Sequence, residues 1–119
     1  MKLLTVEQDQ RMRANGKVNA DRSARDQATE DFQPVVKLFC PWNAATWLLT
    51  ELDPEDPDIA FGLCDLGMGF PEFGNVRLSE MLAGHGPGGL RIERDRSFKP
   101  TKSLQGYAEA ARRDQRIIV

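Results

Sequence analysis

A chain of 119 residues, 40% of them hydrophobic, is long enough for one domain whose core needs no covalent staples. Two cysteines exclude a disulfide framework, and no apolar run approaches the ~20 residues of a membrane helix. A net charge of −2 hides a segregation of charge: from Leu38 to Glu72 there is no Lys, Arg or His, yet there are seven carboxylates, Glu51, Asp53, Glu55, Asp56, Asp58, Asp65 and Glu72, whereas nine basic residues face five acidic ones from Arg77 to Val119.

The opening, Met1 to Glu7, reaches an acid before any long apolar stretch, which is not the pattern of a secretory signal. A reduced, cytoplasmic protein is expected, with Cys40 and Cys64 as small buried hydrophobes. Thr5 and Gln8 have the spacing of a capping box, and Asn15-Gly16 is a matching stop signal, so a short helix is expected between them. Lys17 to Gln33 carries many charges and few apolar residues. It reads as a mobile linker or as a helix that needs a partner. The expected organisation is therefore residues 1–33 as a helix plus mobile segment, and residues 34–119 as one compact domain.

Val35 to Phe39 and Thr46 to Leu52 read as a hairpin. Asp53-Pro54-Glu55-Asp56-Pro57-Asp58 ends it, because two prolines remove ladder donors. Ile59 to Leu66 and Phe73 to Leu78 read as third and fourth strands. Ser79 is expected to cap a helix from Glu80 to Ala83, and Leu90 to Glu93 to form an edge-like fifth strand. Leu104, Tyr107, Ala108 and Ala111 stand at i, i+3, i+4 and i+7, one apolar stripe on a last helix. The predicted fold is α+β: a mainly antiparallel sheet of four to five strands, a C-terminal helix on one face and a short N-terminal helix.

No catalytic motif is legible. Cys40, Cys64 and His85 lack the paired spacing of a zinc site. The acidic turn lacks the glycine and terminal glutamate of a calcium loop. Gly84 to Gly89 lacks the lysine and hydroxyl of a phosphate loop. No metal, cofactor or catalytic residue is assigned.

The acidic centre supports a docking surface for a basic protein, with Glu51, Asp53, Glu55, Asp56 and Asp58 as its charges. Trp42, Phe70 and Phe73 are the candidate apolar anchors, expected to share a surface with those acids. The plain alternative is a solvated acidic turn, its charge cancelled by the basic third of the same chain. A second reading is direct nucleic-acid binding through Arg91, Arg94, Arg96, Lys99 and Lys102, with Phe98 and Tyr107 as stacking groups. The interleaved Glu93 and Asp95 argue against it. A third reading is an enzyme built on a carboxylate pair. The N-terminal segment is expected to add a second contact or a homodimer arm.

Val35 to Phe39, Ala45 to Glu51, Ala60 to Leu63, Phe70-Pro71-Glu72, Leu78-Ser79-Glu80, Ile92 to Asp95 and Phe98-Lys99-Pro100, taken in this order, resemble an uncharacterised bacterial domain-of-unknown-function family, number 2958. Its members are small proteins often carried on plasmids, phages and integrated elements. Relatives usually carry an aromatic where Asn75 stands and a small polar residue where Arg77 stands. The resemblance implies no catalytic residues. It implies a mobile-DNA context, and with it an inhibitor of a host nucleic-acid-targeting defence system, anti-CRISPR or anti-restriction, as the narrower form of the protein-binding reading.

Overall fold

A computed structural model describes residues 2–119. The elements in chain order are α1 (Val6–Ala24), β1 (Val36–Phe39), β2 (Thr46–Leu52), β3 (Ile59–Asp65), β4 (Glu72–Arg77), α2 (Leu78–Ala83), β5 (Glu93–Arg94) and α3 (Leu104–Asp114). The five strands form one antiparallel sheet in the order β4-β3-β2-β1-β5. The fold is α+β, with the expected hairpin closed by the pairs Val36–Leu49 to Phe39–Thr46.

The central strand β2 is buried along most of its length because a helix covers each face of the sheet. Alternation sends Trp47 and Leu49 to the α1 side and an extra residue at Thr50 brings Leu52 there too, and all three pack with Leu3, Leu4, Met12, Val36 and Leu38. Leu48 and Leu63 point to the α3 side and meet Leu104, Tyr107, Ala108 and Ala111, the stripe read from the sequence. Tyr107 is buried, and its hydroxyl accepts a hydrogen bond from the Thr101 amide.

The first helix departs from expectation. The capping box of Thr5 and Gln8 is formed, but the helix runs through Asn15-Gly16 and ends only at Ala24, before left-handed Asp26 (φ 54°). Gly16 does not terminate the helix; it lets α1 lie directly on β2, where a methyl group would overlap the Leu52 carbonyl oxygen. Residues 27–35 then form a strap. Glu30 exchanges hydrogen bonds with Asn19 (2.7 and 3.2 Å), the Phe32 carbonyl accepts from Leu104 N (2.9 Å), and Asp31 accepts from Gln105 N (3.1 Å). The last two satisfy amides at the start of α3 that have no partner within the helix. Leu3, Leu4 and Met12 belong to the same core as Val36 and Leu52, so the expected boundary at Pro34 does not separate two cores.

Two smaller expectations change. Helix α2 starts at Leu78, and Ser79 does not cap it: its hydroxyl donates to Asp58 (2.6 Å). The fifth strand is Glu93–Arg94, paired to β1, rather than Leu90 to Glu93.

Candidate functional site

The site begins with an irregularity in β2. Leu49 pairs with Gly62, but the next pair is Glu51 with Phe61, so Thr50 is an extra residue, a β-bulge. Simple alternation would put Glu51 on the α1 side with Leu49. The bulge turns it to the opposite face, beside Phe61. Glu51, Phe61 and Asn75 then form one row across β2, β3 and β4. The next row, Leu48, Leu63 and Phe73, lies on the same face.

Helix α1 holds the bulge in place. Asn15 Nδ2 donates to the Thr50 carbonyl (2.9 Å) and Asn19 Nδ2 donates to Glu51 Oε2 (2.9 Å). Asn19 is buried, so its amide is a fixed anchor. Glu51 Oε1 takes no hydrogen bond among the described residues. Glu51 lines a cavity of about 130 Å³, together with Asn19, Glu30, Asp31, Phe61, Phe73 and Gln105 among others. Phe61 and Phe73 stack with centroids 6.0 Å apart and an interplanar angle of 22°. Burial pushes the Glu51 carboxyl above the ordinary glutamate range, against a smaller opposing pull from the Asn19 amide. Asp53 lies in an adjoining depression that also includes Glu51, Phe61 and Asn75.

The other acidic residues are used differently. Arg77 bridges Asp56 (3.1 Å) and Asp58 (3.3 Å). Asp58 also accepts from Ser79, by side chain and by amide, and this pulls its carboxyl below the ordinary range with help from Arg77. Asp53 accepts from the Glu55 amide (2.9 Å), while the Glu55 side chain is exposed. Asp65 is buried and accepts from the amides of Gly67 (2.8 Å) and Ile117 (2.9 Å), tying the chain after α3 to the end of β3.

The expected joint surface of acids and aromatics is not formed. The β2–β3 turn that carries Asp53 to Asp58 is at one end of the sheet; the β1–β2 and β3–β4 connections, with Trp42 and Phe70, are at the other. Seven residues of β2 separate the ends, roughly 20 Å. Phe70 is 79% exposed, next to exposed Leu66 and Met68. Trp42 is half-buried, its ring so close to Gly86 that a side chain there would collide. Of the three anchors, only Phe73 joins the acidic end, beside Glu51.

The alternative basic set is also dispersed into structural roles. Arg91 donates to the Leu82 carbonyl (3.0 Å), and Arg94 to the carbonyl of Leu3 (3.0 Å). Lys102 sits over the Tyr107 ring at 5.7 Å, and the burial of Tyr107 removes it as a stacking platform. Arg96 and Lys99 are exposed. Both cysteines pack on the α1 side of the sheet, where burial raises their thiol pKa values.

Asn19 and Phe61 were not singled out from the sequence, and Asn15 was read only as part of a helix stop. A signal for the two asparagines was present: Met12, Asn15, Gly16 and Asn19 have the spacing of one helical face.

The family described as protein of unknown function (DUF2958) matches residues 3–118. The chain belongs to this family. The match includes α1 and the strap, in keeping with their place in the core. Comparison with curated proteins and with solved structures gave no match. Among the described residues, no helix is long and apolar enough to cross a membrane.

Proposed function

We propose that this protein is a binding module that docks the acidic end of its sheet on the basic surface of another protein. One observation carries the reading. Of the seven carboxylates between Leu38 and Glu72, only Asp56 and Asp58 meet a basic side chain among the described residues, and that side chain is Arg77. The basic residues from Arg91 to Arg116 form no salt bridge with the acidic centre; Arg91 and Arg94 serve backbone carbonyls instead. Glu51, Asp53 and Glu55 therefore keep their charge unpaired at one end of the molecule. An unpaired acidic surface raises the encounter rate with a basic partner and disfavours like-charged ones.

The narrower reading is an inhibitor from mobile DNA that presses this end on a nucleic-acid-targeting defence complex. The mobile-DNA context that the resemblance implies supports it, as does the fit of an acidic surface to a groove built for phosphates.

Capture of partners from a bacterial lysate at low and moderate salt tests the docking surface. Asp53→Asn combined with Glu55→Lys reverses the field and retains the side-chain oxygen that accepts from the residue-55 amide. Wild-type protein is expected to retain a basic partner at low salt, and the variant to lose it. Retention of the same partners by the variant would refute the acidic surface.

A further inference from the structure

The cavity over the β2 bulge is more than part of an acidic end. Its lining includes a carboxylate with one oxygen held and one without a donor. Asn19 holds Glu51 Oε2, while Oε1 faces no donor among the described residues. Its wall includes two stacked phenyl rings, Phe61 and Phe73. No lysine or arginine lines it, and Glu30, Asp31 and Glu51 do. Of the two flanking acids, Glu30 is already bridged by Arg22 (3.2 Å), and Asp31 accepts from the Gln105 amide. Glu51 and Asp31 are thus the acceptors without a charged partner among the described residues, and Glu51 is the more buried of the two.

We infer that this cavity is a receptor for a guanidinium group, with Glu51 Oε1 as its anchor and the Phe61–Phe73 pair as its wall. A single open oxygen gives one charge-assisted hydrogen bond, so the rings must supply the remaining attraction. That suits guanidinium, which is planar, weakly hydrated and stacks on aromatic faces, better than a compact, strongly hydrated ammonium. The Phe73 ring already receives the Arg112 guanidinium, 5.7 Å from its centroid, as the Tyr107 ring receives the Lys102 ammonium. A volume of about 130 Å³ admits the planar head of an arginine side chain but not a large ligand. The guanidinium comes either from an arginine of a docked protein or from a small free compound. The first source rests on the protein-binding reading; the chemistry of the cavity does not.

An NMR titration of the full ¹⁵N-labelled chain separates these cases. The probes are methylguanidinium, methylammonium and the blocked peptide acetyl-Gly-Arg-Gly-amide. Methylguanidinium is expected to give saturable shifts at the amides of Thr50, Glu51 and Phe61 and at the Asn19 side-chain amide, with methylammonium binding more weakly. Glu51→Gln, which preserves shape, is expected to weaken binding at least tenfold, and Phe73→Leu to weaken it through the wall. Equal shifts with the peptide identify a partner's arginine as the source, whereas silence from the peptide alone assigns the site to a free guanidinium compound. Absence of saturable shifts, equal affinity in Glu51→Gln, or an equal response to methylammonium would overturn the assignment. Asp53 and Glu55 do not line this cavity, so loss of partner capture in their variant is a separate result.

Discussion

Glu51 carries a stability cost that its neighbours do not remove. Its carboxyl is half-buried against two aromatic rings, and burial raises its pKa more than the Asn19 hydrogen bond lowers it. A raised folded-state pKa means that the folded chain holds this proton to higher pH than the unfolded chain does. Its contribution to stability therefore falls as pH rises from the ordinary glutamate value of ~4.3 through the folded value. Asp58 and Asp95 have the opposite sign. Ser79 and Arg77 depress the first; the Ser97 amide and Lys37 depress the second. Their stabilisation is complete above the ordinary aspartate value of ~3.9 and is lost as pH falls through their lower folded values. Replacing Glu51 by Gln is expected to raise the urea midpoint at pH 7, with the gain shrinking as pH approaches 4. Urea is the suitable denaturant, since guanidinium would compete for the cavity. An unchanged or lower midpoint at neutral pH would show that the carboxylate is not strained. A charge held at such a cost is characteristic of binding sites, where stability is exchanged for function.

At the scale of elements, α1 shows most clearly what was legible and what was not. The strands were readable because alternation, β-branched residues and the proline pair at 54 and 57 are local signals. The stripe of α3 was readable for the same reason. The continuation of α1 past Gly16 was not, because Asn-Gly is a strong local stop and a close helix–sheet contact is a tertiary fact. The spacing of Met12, Asn15, Gly16 and Asn19 on one helical face gave a hint, but Asn15-Gly16 reads locally as a stop. The bulge was hidden as well: nothing local in Leu49-Thr50-Glu51 says that Glu51 changes face. The candidate site lies where these two features meet, which is why Glu51 was named from the sequence but its cavity was not. Gly16→Ala tests the docking. Helix propensity alone favours Ala by ~0.5–1 kcal/mol, whereas the overlap with the Leu52 carbonyl is expected to cost ~1–3 kcal/mol. Urea unfolding should show net destabilisation, with shifted amide resonances at Thr50 and Glu51. A stabilised variant would mean that α1 does not press on β2.

For the whole molecule, the sheet separates two kinds of surface. One end holds the acidic turn and the Glu51 cavity; the other displays Leu66, Met68 and Phe70. Apart from Arg77, the basic C-terminal third forms no salt bridge with these acids among the described residues, although Arg112 reaches the Phe73 ring that lines the Glu51 cavity. Arg77 ties down Asp56 and Asp58, so the free field is concentrated at Glu51, Asp53 and Glu55. The most direct measurement is of that field. Paramagnetic relaxation from a matched pair of cationic and anionic soluble probes reads the local potential at each backbone amide. Stronger relaxation by the cationic probe at residues 51–55, fading when salt is raised, is the expected result. Equal relaxation by the two probes at those amides at low salt would show that the arginines cancel the acids after all, and the docking surface would have no physical basis.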